Sequence, residues 1–451
     1  MKISRTIPLA LLLLFTNLVF SLNLVAQKNT GKVVTYDIDN FWTAYDKVTS
    51  TKDSAAQYRY LNLLFIEKGS PGLKAIMEVK NYTAKSYIDA INSYPLFWNS
   101  IRKNTLKAKG IAKMIEVDVL KMKKLYPELK PANIYFTIGA LRTGGTTLNG
   151  MVLIGAEISM ADEYTETKEF PSNYQHLKTH FKTNPIHDIG FLNVHEYVHT
   201  QQKTTEAKNL LGQVTLEGAA EFLAVKATGK PSTLPALAYA KSKGEKGIDN
   251  EKKIKAAFSL QMFNPSTGYW LYTNETNPFG QRDLGYAVGY LICEKYYEKA
   301  RNKKQAIKEM IELDYNDSTA LAKFIDQSGY LSESVKSLKN EYDRQIPTIT
   351  GIKQLKNHSQ DVDPTIKQLT IEFSAPMNKK SRGFDVGPSA GVDKLLRVKN
   401  VVGFSEDGKS ITIDVDLLPG KDYELLLTER FMNTNLTPIA AYLITFRTAD
   451  K

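Results

Sequence analysis

The stretch His195-Glu-Tyr-Val-His199 contains two histidines four positions apart, with a glutamate directly after the first. If the stretch is helical, residues four apart lie on one face, so His195 and His199 can bind one metal ion together. Glu196 is then placed to accept a proton from an attacking water. Asn184-Pro185 is a favourable start for this helix, which we expect to end near residue 202.

A third metal ligand is needed, because catalytic zinc sites usually have three protein ligands. The segment Leu216-Glu-Gly-Ala-Ala-Glu-Phe222 supplies carboxylates. It lies on a second predicted helix, from about residue 209 to 228, which carries Glu217 and Glu221 on one face. The small residues between them allow close packing against the first helix. Because the remaining histidines fit no matching pattern, we expect the third ligand to be a carboxylate.

Together these two motifs resemble the gluzincin metallopeptidases, a group that includes thermolysin and the zinc aminopeptidases. The longer strings His195-Glu-Tyr-Val-His-Thr-Gln-Gln202 and Glu217-Gly-Ala-Ala-Glu-Phe222 look closer to a group of predicted bacterial zinc proteases. The resemblance implies one Zn²⁺ ion bound by His195, His199 and Glu217. It also implies that Glu196 is the general base and that Glu221 orients a ligand histidine; a surface position is the alternative for Glu221. The implied activity is hydrolysis of a peptide or protein substrate.

Two further features are implied by the same resemblance. Gluzincins commonly stabilise the anionic intermediate with a Tyr, His or Arg further along the chain. In segment 281–290 the first candidate is Tyr286, and Arg282 and Tyr290 are the second choices. A packing role is the alternative for Tyr286. Gluzincins also have an edge strand before the zinc helix, and Met151 to Ile158 is the expected equivalent.

The hydrophobic pattern changes near residue 347 and predicts an α+β fold. Residues 27–346 are expected to form a mostly helical, zincin-like metallopeptidase domain with a small β-sheet. Its probable strands, Ile134–Ile138 and Met151–Ile154, are joined by the glycine-rich connection Arg142–Gly150, which lacks the Lys-Ser/Thr ending of a phosphate-binding loop. Residues 347–451 contain short β-branched runs separated by turns, and they resemble bacterial Ig-like modules, an all-β sandwich.

The first 26 residues predict export. Lys2 and Arg5 precede the apolar run Ile7–Phe20, and small residues follow it, which is the layout of a secretory signal peptide at 1–26. An uncleaved membrane anchor is the alternative, although the run is short for a bilayer span. We expect an exported protein, periplasmic, at the cell surface or extracellular, with no membrane span after signal cleavage.

Composition excludes several other classes. The 451 residues carry a net charge of +11 that is scattered along the chain, so no nucleic-acid partner is expected. The single cysteine, Cys293, permits no intramolecular disulfide and no cysteine-based zinc cluster, and its apolar surroundings predict burial. Two alternatives to a peptidase remain. One is an inactive envelope protein whose Ig-like domain contacts the cell surface or another protein; the other is a structural protein with an accidental motif.

Overall fold

The computed structural model describes residues 31–244, 249–273, 277–388 and 392–450. The predicted signal peptide lies outside the described residues. The chain forms two compact units. The first comprises Met1–Glu206, Thr215–Ala238 and Thr273–Leu321, and the second comprises Ala207–Val214, Tyr239–Tyr272 and Ala322–Lys451.

Helices dominate up to residue 345, as the hydrophobic pattern predicts. A π-helical segment, Asn62–Ile66, and two 3₁₀ segments, Ser172–Tyr174 and Pro185–Asp188, accompany the α-helices. The α-helices are α1 (Tyr36–Thr49), α2 (Ser54–Leu61), α3 (Pro71–Val79), α4 (Ala84–Ser93), α5 (Pro95–Thr105), α6 (Ala108–Leu125), α7 (Ala156–Ser159), α8 (Gln175–Phe181), α9 (Ile189–His199), α10 (Leu210–Thr228), α11 (Pro235–Ala240), α12 (Asn250–Gln261), α13 (Leu284–Lys299), α14 (Lys303–Glu312), α15 (Ser318–Ser328) and α16 (Val335–Gln345).

The strands form three small sheets. The strands are β1 (Val33–Val34), β2 (Ile134–Thr137), β3 (Gly145–Leu148), β4 (Met151–Gly155), β5 (Ile349–Ile352), β6 (Gln368–Phe373), β7 (Phe384–Asp385), β8 (Asn400–Phe404), β9 (Ser410–Asp414), β10 (Asp422–Leu427) and β11 (Tyr442–Arg447). The sheet in the first unit has the order β1-β2-β4-β3, and the two sheets in the second unit have the orders β5-β6-β9-β8 and β11-β10-β7.

The sheet of the first unit corrects one expectation. β4 is an interior strand, because it pairs in parallel with β2 and antiparallel with β3. The outer position belongs to β3, which lies inside the glycine-rich segment that was expected to be only a connection. Asn149 and Gly150 both have positive φ, of 50° and 71°, and form the two-residue turn of a β3–β4 hairpin. An Asn-Gly pair is the strongest short-range hairpin signal, and it predicts this turn.

The two helices that carry the motif residues form close to where the sequence predicts them. α9 ends at His199, about one turn earlier than expected, and it is preceded by the 3₁₀ segment. Asn184 does not cap it: this residue has φ +55°, and its side chain accepts a hydrogen bond from the backbone N–H of Glu163 instead. α10 begins after Asn209, whose side chain accepts from the N–H of Gly212, and it ends before Gly229 at φ +71°.

The second unit combines the C-terminal strands with helical segments. Its two sheets enclose one apolar core that includes Leu369, Ile411, Leu425 and Ile444. The paired strands of this core are antiparallel. A helical segment of the same unit reaches this part of the chain, because the Asn264 side chain donates a hydrogen bond to the Leu436 carbonyl. The observed fold is α+β, as expected, whereas the domain boundary at 346/347 stays a prediction.

None of the helices in the described part of the chain is both long enough and apolar enough to span a bilayer.

Candidate metal centre

Three donor atoms converge at the point where α9 faces α10. His195 Nε2 lies 3.1 Å from His199 Nε2. Oε2 of Glu217 lies 3.4 Å from His195 Nε2 and 3.3 Å from His199 Nε2. His195 and Glu217 are each only 7% exposed, so the three atoms meet in a largely dry environment. Among the described residues, these three form the one group of histidine and acidic side chains arranged to bind a metal ion.

The spacing of the donor atoms fits a tetrahedral metal site. Metal–nitrogen and metal–oxygen bonds of about 2.0–2.1 Å at tetrahedral angles place neighbouring ligand atoms about 3.3–3.4 Å apart. The observed separations of 3.1, 3.3 and 3.4 Å are close to that value on all three sides. Two imidazole nitrogens with one carboxylate oxygen also form a donor set that suits zinc. The arrangement leaves one tetrahedral position for a non-protein ligand.

The electrostatics of the cluster favour positive charge at this point. Burial lowers the pKa of His195, but hydrogen bonds to Glu217 and Glu221 outweigh burial and raise this pKa well above its ordinary value. Burial likewise opposes charge on His199, and the charge of Glu217 outweighs it and raises the pKa. Burial raises the pKa of Glu217, but the charge of His199 and the hydrogen bond from His195 hold it well below its usual range. The ionised carboxylate therefore stabilises a cation between the two rings.

Glu221 lies one turn beyond Glu217 on α10 and contacts the far side of the first imidazole. Its Oε2 is 3.0 Å from His195 Nδ1, and it is 4% exposed, so it is not a surface residue. Its other oxygen accepts a hydrogen bond from the Ser232 hydroxyl. With Nδ1 donating to this carboxylate, the Nε2 lone pair of His195 is directed at the metal position. The structure thus brings together the residue pair that the resemblance implies, and it adds Ser232.

The second imidazole has an orienting partner that sequence reasoning missed. His199 Nδ1 lies 2.7 Å from Oε1 of Gln202, and the Gln202 amide donates a 2.9 Å hydrogen bond to the Leu216 carbonyl. Gln202 is 5% exposed. The bond to Leu216 fixes which end of the amide faces the ring, so His199 donates from Nδ1 and keeps Nε2 free for a metal ion. Its position three residues after His199 is the signal that could have indicated this contact.

Glu196 lies beside the metal ligands but is not one of the three converging residues. It is 8% exposed, and burial raises its pKa, while the charges of His195 and His199 lower it. The backbone of β3 lies directly against its side chain. A Cβ atom added to Gly145 would be 2.6 Å from Glu196 Oε1. Because only a glycine fits there, Gly145 allows β3 to approach the carboxylate, a role that sequence reasoning also missed.

A lysine from an earlier part of the chain contributes to the field of this site. Lys80 follows the last residue of α3 and is half-buried, which lowers the pKa of its ammonium group. The charges of Glu196 and Glu217 oppose that shift. The backbone carbonyl of Lys80 accepts a 2.7 Å hydrogen bond from the Arg142 guanidinium. Lys80 therefore places a partly desolvated cation within electrostatic reach of the site.

Tyr286, the first candidate for the donor that the resemblance implies, lies near His195. Its ring centroid is 6.1 Å from that of His195, with an interplanar angle of 36°. The neighbouring candidates lie differently: Arg282 forms a 3.1 Å ion pair with Asp283, and Tyr290 is 6% exposed, with its ring 5.6 Å from that of Phe222. Of the three candidates, Tyr286 is the one with a ring contact to His195.

The position of Tyr286 follows from close packing between α10 and α13. The small residues of α10 were expected to pack against α9. A Cβ atom at Gly218 would lie 2.0 Å from the backbone of Gly289. The small residues of α10 therefore let it approach α13, rather than serving only the contact with α9. Tyr286 is one turn before Gly289 on α13, so the glycine contact sets its distance from the metal ligands.

Cys293 plays no part in the site. It is a free thiol with 0% exposure, as predicted, and burial raises its pKa. A buried neutral thiol is a small apolar core residue.

Comparisons with known proteins identify no family for this chain. No protein-family model matches the sequence, and no characterised protein sequence matches it. Among solved structures, the crystal structure of the S-layer protein rSbsC(31-844) matches with 12% sequence identity and a TM-score of 0.18. The match covers 92% of this chain and 45% of that chain, so this chain spans less than half of that structure. A TM-score this low supports no argument about fold.

Proposed function

We propose that this protein is an exported zinc-dependent metallopeptidase that hydrolyses peptide bonds with Glu196 as the general base. The observation that supports this most is the triangle of His195 Nε2, His199 Nε2 and Glu217 Oε2, with sides of 3.1, 3.3 and 3.4 Å. An accidental motif would not bring a distant third donor to the same point. It would also not give each imidazole its own buried orienting partner.

One zinc ion is the proposed cofactor, bound by His195, His199 and Glu217. When bound, it supplies Lewis-acid chemistry: it lowers the pKa of water toward about 7 and polarises a carbonyl oxygen. Glu221 and Gln202 hold the two imidazoles in the tautomer that leaves Nε2 free.

The proton transfers are assigned to Glu196. Its carboxylate lies beside the three proposed ligands and is not one of them, and burial raises its pKa, which makes it a better proton acceptor. It takes a proton from the attacking water and passes it to the leaving amine. Tyr286, beside His195, is the proposed hydrogen-bond donor to the oxyanion that develops on the substrate carbonyl.

β3 is the proposed docking edge for the substrate. Within the described residues it pairs only with β4, so its outer backbone groups face away from the sheet. The strand begins at Gly145, in contact with Glu196. An extended peptide that added a strand to this edge would bring its backbone past the general base. This strand takes the role that the sequence assigned to Met151 to Ile158.

The proposal also covers the fold of each part of the chain. We assign the first unit to the zincin-like metallopeptidases and the C-terminal sheets to an Ig-like sandwich. The sandwich is proposed to contact the cell surface or another protein, and residues 1–26 to direct export.

The test uses two variants with different expected losses. Glu196→Gln should retain zinc and lose hydrolysis of a mixed peptide library by about 10²–10⁴-fold, because proton transfer is removed. Glu217→Ala should bind zinc more weakly, because an anionic ligand is removed. Zinc content by mass spectrometry and cleavage by peptide sequencing are measured on the same samples. Glu116→Gln, at an exposed position of α6, is the matched control.

The outcomes separate the alternatives. Zinc-free wild-type protein would contradict the metal site. Zinc binding without cleavage of any peptide, in the wild type as in Glu196→Gln, would favour the inactive binding protein. Equal zinc retention and equal residual activity in Glu196→Gln and Glu217→Ala would show that the two roles are assigned wrongly.

A further inference from the structure

A second carboxylate is buried outside the metal centre and has no part in the proposed chemistry. Glu157 lies just after β4, in α7, and is 0% exposed. Its Oε2 accepts a 2.8 Å hydrogen bond from the N–H of Gly139, and its Oε1 accepts a 3.2 Å hydrogen bond from the N–H of Leu141. Burial of a carboxyl group costs free energy, and the two backbone hydrogen bonds offset part of that cost.

The segment that Glu157 holds is conformationally demanding. Leu141 has φ +64°, in the left-handed region, which costs an L residue about 1–2 kcal/mol. Gly139 leaves no room for a side chain, because a Cβ atom there would lie 2.7 Å from Glu157 Oε1 and 2.8 Å from the Tyr82 hydroxyl. The two hydrogen bonds that Glu157 accepts from the N–H groups of Gly139 and Leu141 offset this strain and hold the turn.

The same segment leads directly to the general base. After Leu141, the N–H of Arg142 donates to the Tyr82 hydroxyl at 3.1 Å, and the N–H of Gly155 donates to the carbonyl of Gly144 at 3.0 Å. The next residue is Gly145, whose backbone touches the side chain of Glu196. A rigid chain of contacts therefore runs from the buried carboxyl group to the metal centre.

We propose that Glu157 is a positioning residue: it fastens segment 139–145 so that β3 lies against Glu196. For its effect on catalysis the inference rests on the proposed function, whereas its effect on the segment does not. Glu157 touches neither the substrate edge nor a metal ligand, and it acts through Gly139, Leu141 and the start of β3.

The stability of the closed segment 139–145 depends on pH. Burial raises the pKa of Glu157 to about 7, against the effect of the backbone hydrogen bonds from Gly139 and Leu141. The closed segment therefore binds the proton more tightly than an open one in which Glu157 is hydrated at its ordinary pKa. Closure is most strongly favoured below the ordinary pKa, weakens as pH rises from there to about 7, and changes no further above about 7.

The other groups near Glu157 do not titrate in that range. The facing phenols are Tyr82 and Tyr87, and burial raises the pKa of both above the ordinary tyrosine value. The Arg142 guanidinium lies 5.3 Å from the Tyr82 ring centroid. A pH effect on the segment can therefore be assigned to Glu157.

The first test needs no activity. Amide hydrogen exchange at Gly139 and Leu141, corrected for the intrinsic rate, is measured from about pH 5 to 9 in wild type and in Glu157→Gln. The opening equilibrium of the wild type should rise about tenfold per pH unit between about pH 5 and 7 and level off above about 7, and the variant should show no such slope. A flat wild-type profile, or the same slope in Glu157→Gln, would overturn the inference. The wild-type profile tests the inference by itself, so the test remains decisive even if Glu157→Gln does not fold.

The second test couples the segment to the site. With equal zinc content, Glu157→Gln should lower kcat about tenfold with a smaller change in KM, as for residues that orient catalytic groups from outside. Glu116→Gln should leave both unchanged. An unchanged kcat in Glu157→Gln would overturn the coupling. If wild-type protein cleaves no peptide at all, the proposed function fails while the exchange experiment still decides the role of Glu157.

Discussion

Substitution of Gly145 by alanine tests the contact between β3 and the general base. Gly145 does not have positive φ, so an alanine is acceptable to the backbone itself. The added methyl group, however, would lie 2.6, 2.9 and 3.0 Å from Oε1, Cγ and Cδ of Glu196. Ordinary contacts start near 3.4 Å, so either the strand or the carboxylate must move. Overpacking of this kind costs about 1–3 kcal/mol.

The assay is a double-mutant cycle in urea-induced unfolding. Gly145→Ala should reduce the free energy of unfolding by about 1–3 kcal/mol in the wild-type background. In the Glu196→Ala background the obstructing side chain is gone, so most of that loss should disappear. Peptide hydrolysis should fall in the single variant while zinc stays bound, because Glu196 is displaced and the three ligands are not.

Two glycines provide controls for the same change. Gly144→Ala places its methyl group 3.3 Å from the Ile158 side chain, a much milder contact, and should cost less. Gly110→Ala meets nothing within 4 Å and lies in a helix, so it should stabilise the protein slightly. An equal loss of stability from Gly145→Ala in both backgrounds would refute the reasoning.

Two other perturbations test neighbouring parts of the site. Gln202→Leu removes the hydrogen-bond acceptor that orients His199, and it should weaken zinc binding by about 10–100-fold in a chelator competition titration; unchanged affinity would contradict the orienting role. Lys80→Met removes a cation near Glu196 and should reduce kcat/KM at constant zinc content, whereas Lys74→Met, at an exposed position of α3, should have no effect; equal activities of the two variants would contradict the electrostatic role.

The metal ligands could be predicted from the sequence because their geometry is local. Helical spacing alone brings His195 and His199 to one face, and the same rule puts Glu217 and Glu221 one turn apart. What periodicity could not show is how α10 approaches α9, or that Gly218 packs against Gly289. Those are contacts between distant segments, and they depend on which small residues meet.

The surroundings of the site were harder to predict for the same reason. The interval 142–150 has many glycines and few large apolar residues, so it was interpreted as a connection, although Asn149-Gly150 is a hairpin signal. One of its glycines, Gly145, allows a close approach to Glu196, and another, Gly150, lies in the turn at positive φ. The contributions of Lys80 and Glu157 depend on the tertiary arrangement, because each reaches its partners across a long stretch of sequence. In the C-terminal region the short β-branched runs predicted strands, and β5 to β11 lie there.

The most direct test of the central claim is the rate of peptide hydrolysis per bound zinc ion, compared between wild type and Glu196→Gln. The account predicts one zinc ion per chain in both proteins, peptide hydrolysis by the wild type, and a rate at least about 100-fold lower in the variant. A Glu196→Gln protein that binds zinc and hydrolyses peptides at the wild-type rate would contradict the account.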